Sequence, residues 1–564
     1  MEDARENDVN DSCLPPTGLE FNLADALTFA AELVPDRTAI IQGDKTLTFA
    51  QLTLRARRIA SWFQIHDLSQ VTERKSLANH ESGQAHLGQL LYNSPEYLEG
   101  MFGAFYGRLA PFNINYRYVA DEVRYVLKDA SPRVLQYNAV FAPLVADALQ
   151  GTSVTPILLQ VADLSGNKLL PGAIDYEEAI ESVPDSASDP VRSPDDLYVL
   201  YTGGTTGMPK GVMWRQADLA VAALGLTDRR NGKEWSEQDE RVGLVSRRPN
   251  RNMTCAPFIH GAAQWNGLQT LCDGDTLVLS SVVDHLDAVD IWSTVERERV
   301  TSLSIVGDAF AGPLLDELSS GRYDVSSLKF VLSGGAALRR SFKSRLIELI
   351  PGVRVQDLVG SSESGTQGRT ESVGPGVPRY RRTPSTVIIS EDMTIVLEPD
   401  HEGSGWLAQR GRLPLGYLGD QAKTARAFPL IDGIRYGVPG DRARLKSEDE
   451  YELLGRDSVT INTGGEKVFG EEVELVIKEL SQVEDVLVCG RPSDRWGQEI
   501  VAIVVTRNSI SLDQETVKQV CRDRLARYKV PREVVFTNAI SRSPAGKPDY
   551  RWALSFVSGD GHSS

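Results

Sequence analysis

At 564 residues the chain is too long for one hydrophobic core, and its 41% apolar and 24% charged residues are those of a folded globular protein. A net charge of −17 with no long basic run excludes a nucleic-acid surface as the main function, because a phosphate backbone would be repelled. An anionic substrate would therefore need its counter-charge supplied locally, by particular Lys, Arg, metal or backbone N–H groups.

Residues 1–18 are acidic and polar, opening Met1-Glu2-Asp3-Ala4-Arg5, the reverse of a signal peptide, and read as a mobile tail. No apolar run is long enough to make an integral membrane segment. The five cysteines, Cys13, Cys255, Cys272, Cys489 and Cys521, form no C-x-x-C pair, which points to a reducing cytoplasm rather than a zinc site or disulfide framework. From about 21 to 430, short apolar runs alternate with helix-length segments. The runs at 197–201, 276–279, 302–306 and 330–332 read as buried strands, which predicts β/α units on mostly parallel sheets. The stretch 69–85 is polar and irregular and receives no element; the Gly/Pro/Arg-rich stretch 374–384 reads as a surface connection before a strand-rich section.

After Gly455 the texture changes. Val473, Val476, Ile477 and Leu480 stand at i, i+3, i+4 and i+7, so a short amphipathic helix is predicted over 471–480. Strands at 500–505 and 534–536 and a helix over 513–525 complete a small unit. The predicted fold class is α/β: a large N-terminal domain (19–455) of β/α subdomains with mostly parallel sheets, plus a small mobile α+β C-terminal lid domain (456–564).

The strand at 197–201 runs into Thr202-Gly203-Gly204-Thr205-Thr206-Gly207-Met208-Pro209-Lys210-Gly211. Small residues let backbone N–H groups approach phosphate oxygens, threonine hydroxyls add donors, and Lys210 adds a point charge. Composition alone also fits a surface turn. It is not a Walker A loop, since Pro209 precedes the lysine and no G-K-[S/T] follows.

The full string from Tyr201 to Gly211 resembles the signature of the acyl-adenylate-forming superfamily, which includes acyl- and aryl-CoA synthetases, adenylation domains and beetle luciferases. Gly204 stands where Ser is commoner. Further resemblances follow in the family's order. Ala256-Pro257-Phe258-Ile259-His260-Gly261 is similar to the segment whose histidine lies beside the acyl carboxylate, and Ser333-Gly334-Gly335-Ala336 to the one lining the adenine and acyl sites. Gly360-Ser361-Ser362-Glu363 resembles the G-x-T-E motif, Gly440-Asp441 the ribose-binding motif, and Gly455-Arg456 the start of the hinge. Asn462-Thr463-Gly464-Gly465-Glu466 resembles the border of a pantetheine tunnel, and Ser543-Pro544-Ala545-Gly546-Lys547 the C-terminal lysine motif. Taken singly, Glu363 would be an ordinary loop carboxylate, His260 a structural histidine and Lys547 a solvated lysine; their order argues otherwise. Asn113-Ile114-Asn115-Tyr116-Arg117-Tyr118 is most similar to bacterial fatty-acyl and sterol side-chain CoA synthetases.

The resemblance implies ATP, Mg²⁺ and coenzyme A as cofactor and co-substrates, and a small-molecule carboxylic acid as the partner. It implies catalytic roles for Lys547, Glu363 and His260, with Glu363 also holding the metal. ATP contacts would come from Thr202, Gly203, Gly204, Thr205, Thr206, Gly207, Lys210, Gly334, Gly335, Ala336, Ser362, Asp441 and Arg456. Gly464 and Gly465 would border CoA, Ser458 would be the hinge, and Phe258, His260, Trp265 and Gly360, with the segment 306–308, would line an apolar acyl pocket. Four positions depart from the pattern: Val359 for a Tyr that stacks on adenine, Ser362 for Thr, Ser458 for Lys or Asp, and Gly470 for Pro. The implied activity is an ATP-dependent acid:CoA ligase, with a fatty chain as the first choice of acid, a sterol side chain second and an aryl acid third. Alternatives are an adenylation enzyme loading a separate carrier protein, a luciferase-like oxygenase, and a non-catalytic acyl or nucleotide binder; the retained Lys210, Glu363, Asp441, Arg456 and Lys547 argue against the last.

Overall fold

The computed structural model describes residues 18–184, 190–202, 209–228, 230–336, 338–370, 378–399, 401, 403–456, 459–463, 466–493, 497–507, 512–525, 527–542 and 548–558. Among these residues, a fifteen-stranded, an eight-stranded and a five-stranded sheet carry the fold.

In the eight-stranded sheet, His86–Leu90 lies between Ala110–Asn113 and Val134–Asn138, all parallel. Leu197–Thr202 pairs with Ala110–Asn113 on one side and antiparallel with Lys210–Arg215 on the other. The largest sheet begins parallel, in the order Thr276–Leu279, Arg251–Thr254, Ser302–Ile305, Phe330–Gly334 and Arg354–Ser361. It continues antiparallel through Gly365–Thr370, Arg379–Arg382, Glu450–Arg456 and Asp441–Leu445. Strands covered by helices on both faces have no polar side to show, which is why Leu197–Leu200 and Leu277–Leu279 read as continuous apolar runs.

The last strand of the large sheet ends at Arg456, and the five-stranded sheet begins with Thr460–Thr463. Its core is Val483–Ser493 paired with Gly497–Thr506, with Glu533–Phe536 parallel to the latter. The helix expected over 471–480 is Gly470–Ile477, with Val473 and Ile477 fully buried; the one expected over 513–525 is Gln514–Arg524, capped by the Asp513 carboxylate accepting from the Thr516 N–H.

Two expectations change. Arg379–Arg382, placed by sequence in a surface connection, is a strand: Tyr380 is buried against Tyr451 at 5.8 Å while Arg379 and Arg381 are exposed. Its period of two spans too few residues to stand out beside the flanking Gly and Pro. The unassigned stretch 69–85 is a closed loop around a short helical turn, Arg74–Ser76, in which the buried Arg74 guanidinium donates to the carbonyls of Ala78 and Glu81. Backbone acceptors inside the loop, rather than an apolar face, hold it, so it shows no hydrophobic period.

Candidate active site

Parallel sheets bind ligands in the crevice outside the carboxyl ends of their strands. Here the segments that follow Thr254, Ile305, Gly334 and Ser361 in one sheet, together with Thr202 itself in the other, open into a single cleft of ≈ 3130 Å³. Thr202, Lys210, His260, Gly335, Glu363 and Asp441 all face it, as do Trp265, Gly334, Ala336, Gly360 and Ser362. Residues separated by hundreds of positions in sequence therefore share one wall.

Thr202 and Lys210 are register partners at the loop end of the hairpin formed by Leu197–Thr202 and Lys210–Arg215. Gly203, Gly204, Thr205, Thr206 and Gly207 lie outside the described residues. Gly211 belongs to the same string for a different reason: a Cβ there would stand 2.9 Å from the Tyr201 ring, so this glycine serves close strand pairing.

The histidine side of the cleft is tied to that hairpin by one buried side chain. Asn113 accepts from the Tyr201 N–H (2.9 Å) and donates to the carbonyls of Tyr201 (2.9 Å) and Ile259 (2.8 Å). A second amide, Asn93, accepts from the Phe258 N–H (2.6 Å) and donates to the Ala256 carbonyl (3.0 Å). His260 then stands at the N-terminus of the helix Gly261–Cys272, whose residues Ala262, Trp265 and Gln269 line the cleft at helical spacing. Phe258 does not join them. It is 1% exposed, packs on Tyr97 at 5.1 Å, and is part of the core behind the wall. The turn closed by His260 N–H to the Pro257 carbonyl sends the two side chains to opposite sides. The segment 306–308 reaches the cleft through Val306 and Asp308.

Glu363 is presented by the tight turn between Arg354–Ser361 and Gly365–Thr370, where the Ser361 hydroxyl accepts from the Glu363 N–H (3.2 Å). Gly365 has φ +69° and approaches the Ala222 carbonyl so closely that a Cβ would lie 2.6 Å from it, which fixes glycine there. Tyr417, not singled out from sequence, lies between the two charged groups: its hydroxyl donates to Glu363 Oε1 (2.8 Å) and accepts from Lys210 Nζ (3.3 Å), while the ammonium also sits 4.4 Å from the ring centroid. A tyrosine between Gly416 and Gly419 carries no sequence period, so only the contacts reveal it. Losing a hydrogen bond to a charged group costs about 1.5–3 kcal/mol, so Tyr417→Phe is expected to lower the rate of acyl-AMP formation about ten- to a hundred-fold. An unchanged rate of pyrophosphate exchange would show that the Lys210–Tyr417–Glu363 line has no catalytic weight.

No group of three His, Cys, Asp or Glu side chains positioned around a metal occurs among the described residues. Glu363 offers a single carboxylate on the cleft wall, joined to Lys210 through the Tyr417 hydroxyl. That fits Mg²⁺, which keeps several waters and is commonly held by one or two carboxylates plus substrate phosphates.

Val359 faces the cleft and packs against the Tyr380–Tyr451 cluster, so no aromatic face is offered from position 359. An aromatic stack contributes about 1 kcal/mol beyond burial, and Val359→Tyr is expected to lower the KM for ATP about fivefold; an unchanged KM would mean adenine is held elsewhere. Asp357, two residues earlier, also faces the cleft and forms a 2.6 Å ion pair with Lys343, both almost fully buried. Burial pushes the Asp357 carboxyl up to about 6.

On the far wall, Asp441 begins the strand Asp441–Leu445 directly opposite Arg456, which ends Glu450–Arg456. Gly455, at φ +124°, is where the chain leaves this sheet, and a Cβ there would overlap the Glu471 carboxylate at 1.9 Å. The small unit closes the cleft from this side, through Glu471, Arg542, Pro548 and Tyr550. Ser458, Gly464, Gly465 and Lys547 lie outside the described residues.

A cleft of this kind, with the Thr202–Lys210 strand pair at one end, Asp441 on the far wall, and a small domain across its mouth, is that of an adenylate-forming enzyme. The AMP-binding enzyme family matches residues 27–404, and the AMP-binding enzyme C-terminal domain matches residues 472–547. The medium-chain acyl-CoA ligase Mig of Mycobacterium avium is 50% identical over 527 residues, covering 93% of this chain and 96% of that protein. The 3-oxocholest-4-en-26-oate–CoA ligase of Rhodococcus rhodochrous is 36% identical, covering 95% and 96%. Among solved structures, the anthranilate CoA ligase AuaEII in complex with anthranoyl-AMP superimposes with a TM-score of 0.78 at 19% identity, over 96% of this chain and 98% of that one. The chain belongs to the AMP-binding enzyme family, in its acyl-CoA synthetase branch.

Proposed function

We propose that the protein is an ATP-dependent acid:CoA ligase that activates an apolar carboxylic acid, first of all a medium-chain fatty acid, and transfers it to coenzyme A. The observation that carries this reading is the single cleft that collects Thr202, Lys210, His260, Glu363 and Asp441. The 50% identity to a protein named as a medium-chain acyl-CoA ligase favours the fatty chain over the sterol side chain of the more distant relatives. Beyond His260 the wall turns apolar, with Ala222, Leu224, Trp265, Val306 and Leu332 facing the space an acyl chain would take.

The first step joins two anions, since an oxygen of the acid attacks the α-phosphorus of ATP and pyrophosphate leaves. Two unit charges at 4 Å repel by about 4 kcal/mol at an effective dielectric of about 20. Lys210 and Lys547 supply positive charge, and backbone N–H groups of the 203–207 loop hold phosphate oxygens as charge develops on them. Glu363 would hold Mg²⁺, whose contribution would be to neutralise phosphate charge. Asp441 and Arg456 hold the ribose, and His260 orients the carboxylate. In the second step the CoA sulfur, entering past Gly464 and Gly465, attacks the acyl carbon; the thiol proton is lost and AMP leaves. Four cysteines among the described residues are free thiols, which fits a reducing, cytoplasmic site of action.

Acid-dependent ATP–pyrophosphate exchange over a panel of fatty, sterol and aryl acids tests the reading, with the CoA product identified by mass. Exchange with no acid would reject it. Exchange without thioester formation would favour loading of a separate carrier.

A further inference from the structure

The seam between the two domains holds an unused arginine. Arg339 stands at the N-terminus of the helix Arg340–Leu349, with only 7% of its side chain exposed. Its Nε donates to Asp308 Oδ2 (2.8 Å) and its own N–H to Asp308 Oδ1 (2.7 Å), so the guanidinium is fixed from below by a residue of the cleft wall. The plane lies over the Phe342 ring at 4.6 Å. Its two remaining nitrogens point across the seam: Nη2 donates to the Glu484 carbonyl (2.6 Å) and Nη1 to that of Val483 (3.4 Å). Arg507 of the small domain donates to the same Val483 carbonyl (3.3 Å) and lies 5.9 Å from Phe342.

Those two carbonyls begin the strand Val483–Ser493, and the next residue, Asp485, makes a two-pronged pair with Arg542, both contacts at 2.7 Å. Arg542 in turn pairs with Pro548 in an isolated antiparallel bridge. Asp308, Arg339, Glu484, Asp485, Arg542 and Pro548 all border the same cleft as Glu363 and Asp441. A rigid, bidentate guanidinium is suited to such a role, since it is pre-organised and cannot lose its charge.

We infer that Arg339 is a positioning residue for acyl-AMP formation: by holding the carbonyls of Val483 and Glu484, it sets the small domain against the Asp308 wall so that Asp485 and Arg542 face the cleft. This rests on the ligase reading above, and on the small domain leaving this position for the CoA step. Contacts made only in one arrangement of two domains stabilise only the step carried out in that arrangement.

The test separates the half-reactions in the full-length protein. With an acid that the wild type activates, Arg339→Met is expected to lower acid-dependent pyrophosphate exchange at least about tenfold, since small misplacements of a catalytic group are costly. Thioester formation from supplied acyl-AMP and CoA should change less than about threefold. Arg339→Lys, which can still reach one carbonyl, should recover part of the exchange rate, and Arg542→Met should reproduce the selective loss. Equal loss of both half-reactions in a variant with an unchanged melting temperature, loss of thioester formation alone, or no loss at all would overturn the inference. Should Arg339→Met fail to fold, the Arg339→Lys and Arg542→Met variants carry the same comparison. A wild type that forms no acyl-AMP would instead reject the ligase reading itself.

Discussion

Replacing Lys547 by alanine is expected to lower acid-dependent pyrophosphate exchange about a hundred- to a thousand-fold, the usual cost of one group aimed at developing transition-state charge. Thioester formation from preformed acyl-AMP should survive. The expectation comes from placement rather than from charge alone. The neighbours that bracket the lysine's segment, Arg542 and Pro548, pair with each other and face the cleft that holds Glu363 and Lys210. In the second step the acyl group is already joined to AMP, so two anions no longer have to be brought together and no pyrophosphate remains to be neutralised; the lysine's charge has less to offset. Measuring both half-reactions on one preparation decides it: parallel losses would mean that Lys547 serves folding or domain closure instead.

A second large effect concerns stability. Lys343 and Asp357 form a 2.6 Å pair inside the large domain, 2% and 5% exposed at the side chain. Removing one partner of such a pair leaves an uncompensated buried charge and costs about 3–5 kcal/mol, whereas replacing both with apolar groups is often neutral. Lys343→Met should therefore be strongly destabilising, and Lys343→Met with Asp357→Leu should recover most of the loss. The sign of the pH dependence follows from burial, which raises the Asp357 carboxyl from 3.8 to about 6. A carboxyl whose folded value is raised favours the fold at pH below its unfolded value and loses that contribution as pH rises through about 6. Without Lys343 nothing offsets the ionised form, so the deficit in the melting midpoint of Lys343→Met should be larger at pH 8 than at pH 5. A deficit that does not shrink on acidification would mean that cavity formation, not charge, dominates.

The order of motifs along the chain picked out residues that share one cleft wall, among them Thr202, Lys210, His260, Glu363 and Asp441. A contiguous string such as 360–363 encodes a turn and the carboxylate it presents together, and a turn needs no distant partner to be recognised. Strands 197–201 and 276–279 were legible because burial on both faces leaves an uninterrupted apolar run. What escaped was built by long-range contact. Tyr417 acquires its place only where Lys210, 207 residues away, and Glu363, 54 residues away, converge on its hydroxyl. Arg339 resembles any helix-start arginine until the carbonyls of a different domain are set against it. Phe258 misled for the converse reason: its neighbour His260 does face the cleft, and a reading by string assigns both to one side. The turn at 257–260 separates them.

Asn113 has a consequence for how substrate preference could change. With both ends of its amide committed, to Tyr201 and to Ile259, it fixes the spacing between the start of the phosphate hairpin and the residue before His260. The reacting end of any acid is thus measured against a constant gauge. Variation in chain length or bulk must be absorbed downstream, where Ala222, Leu224 and Trp265 line the wall. Laboratory evolution toward larger acids should accumulate substitutions on that distal surface and leave position 113 untouched.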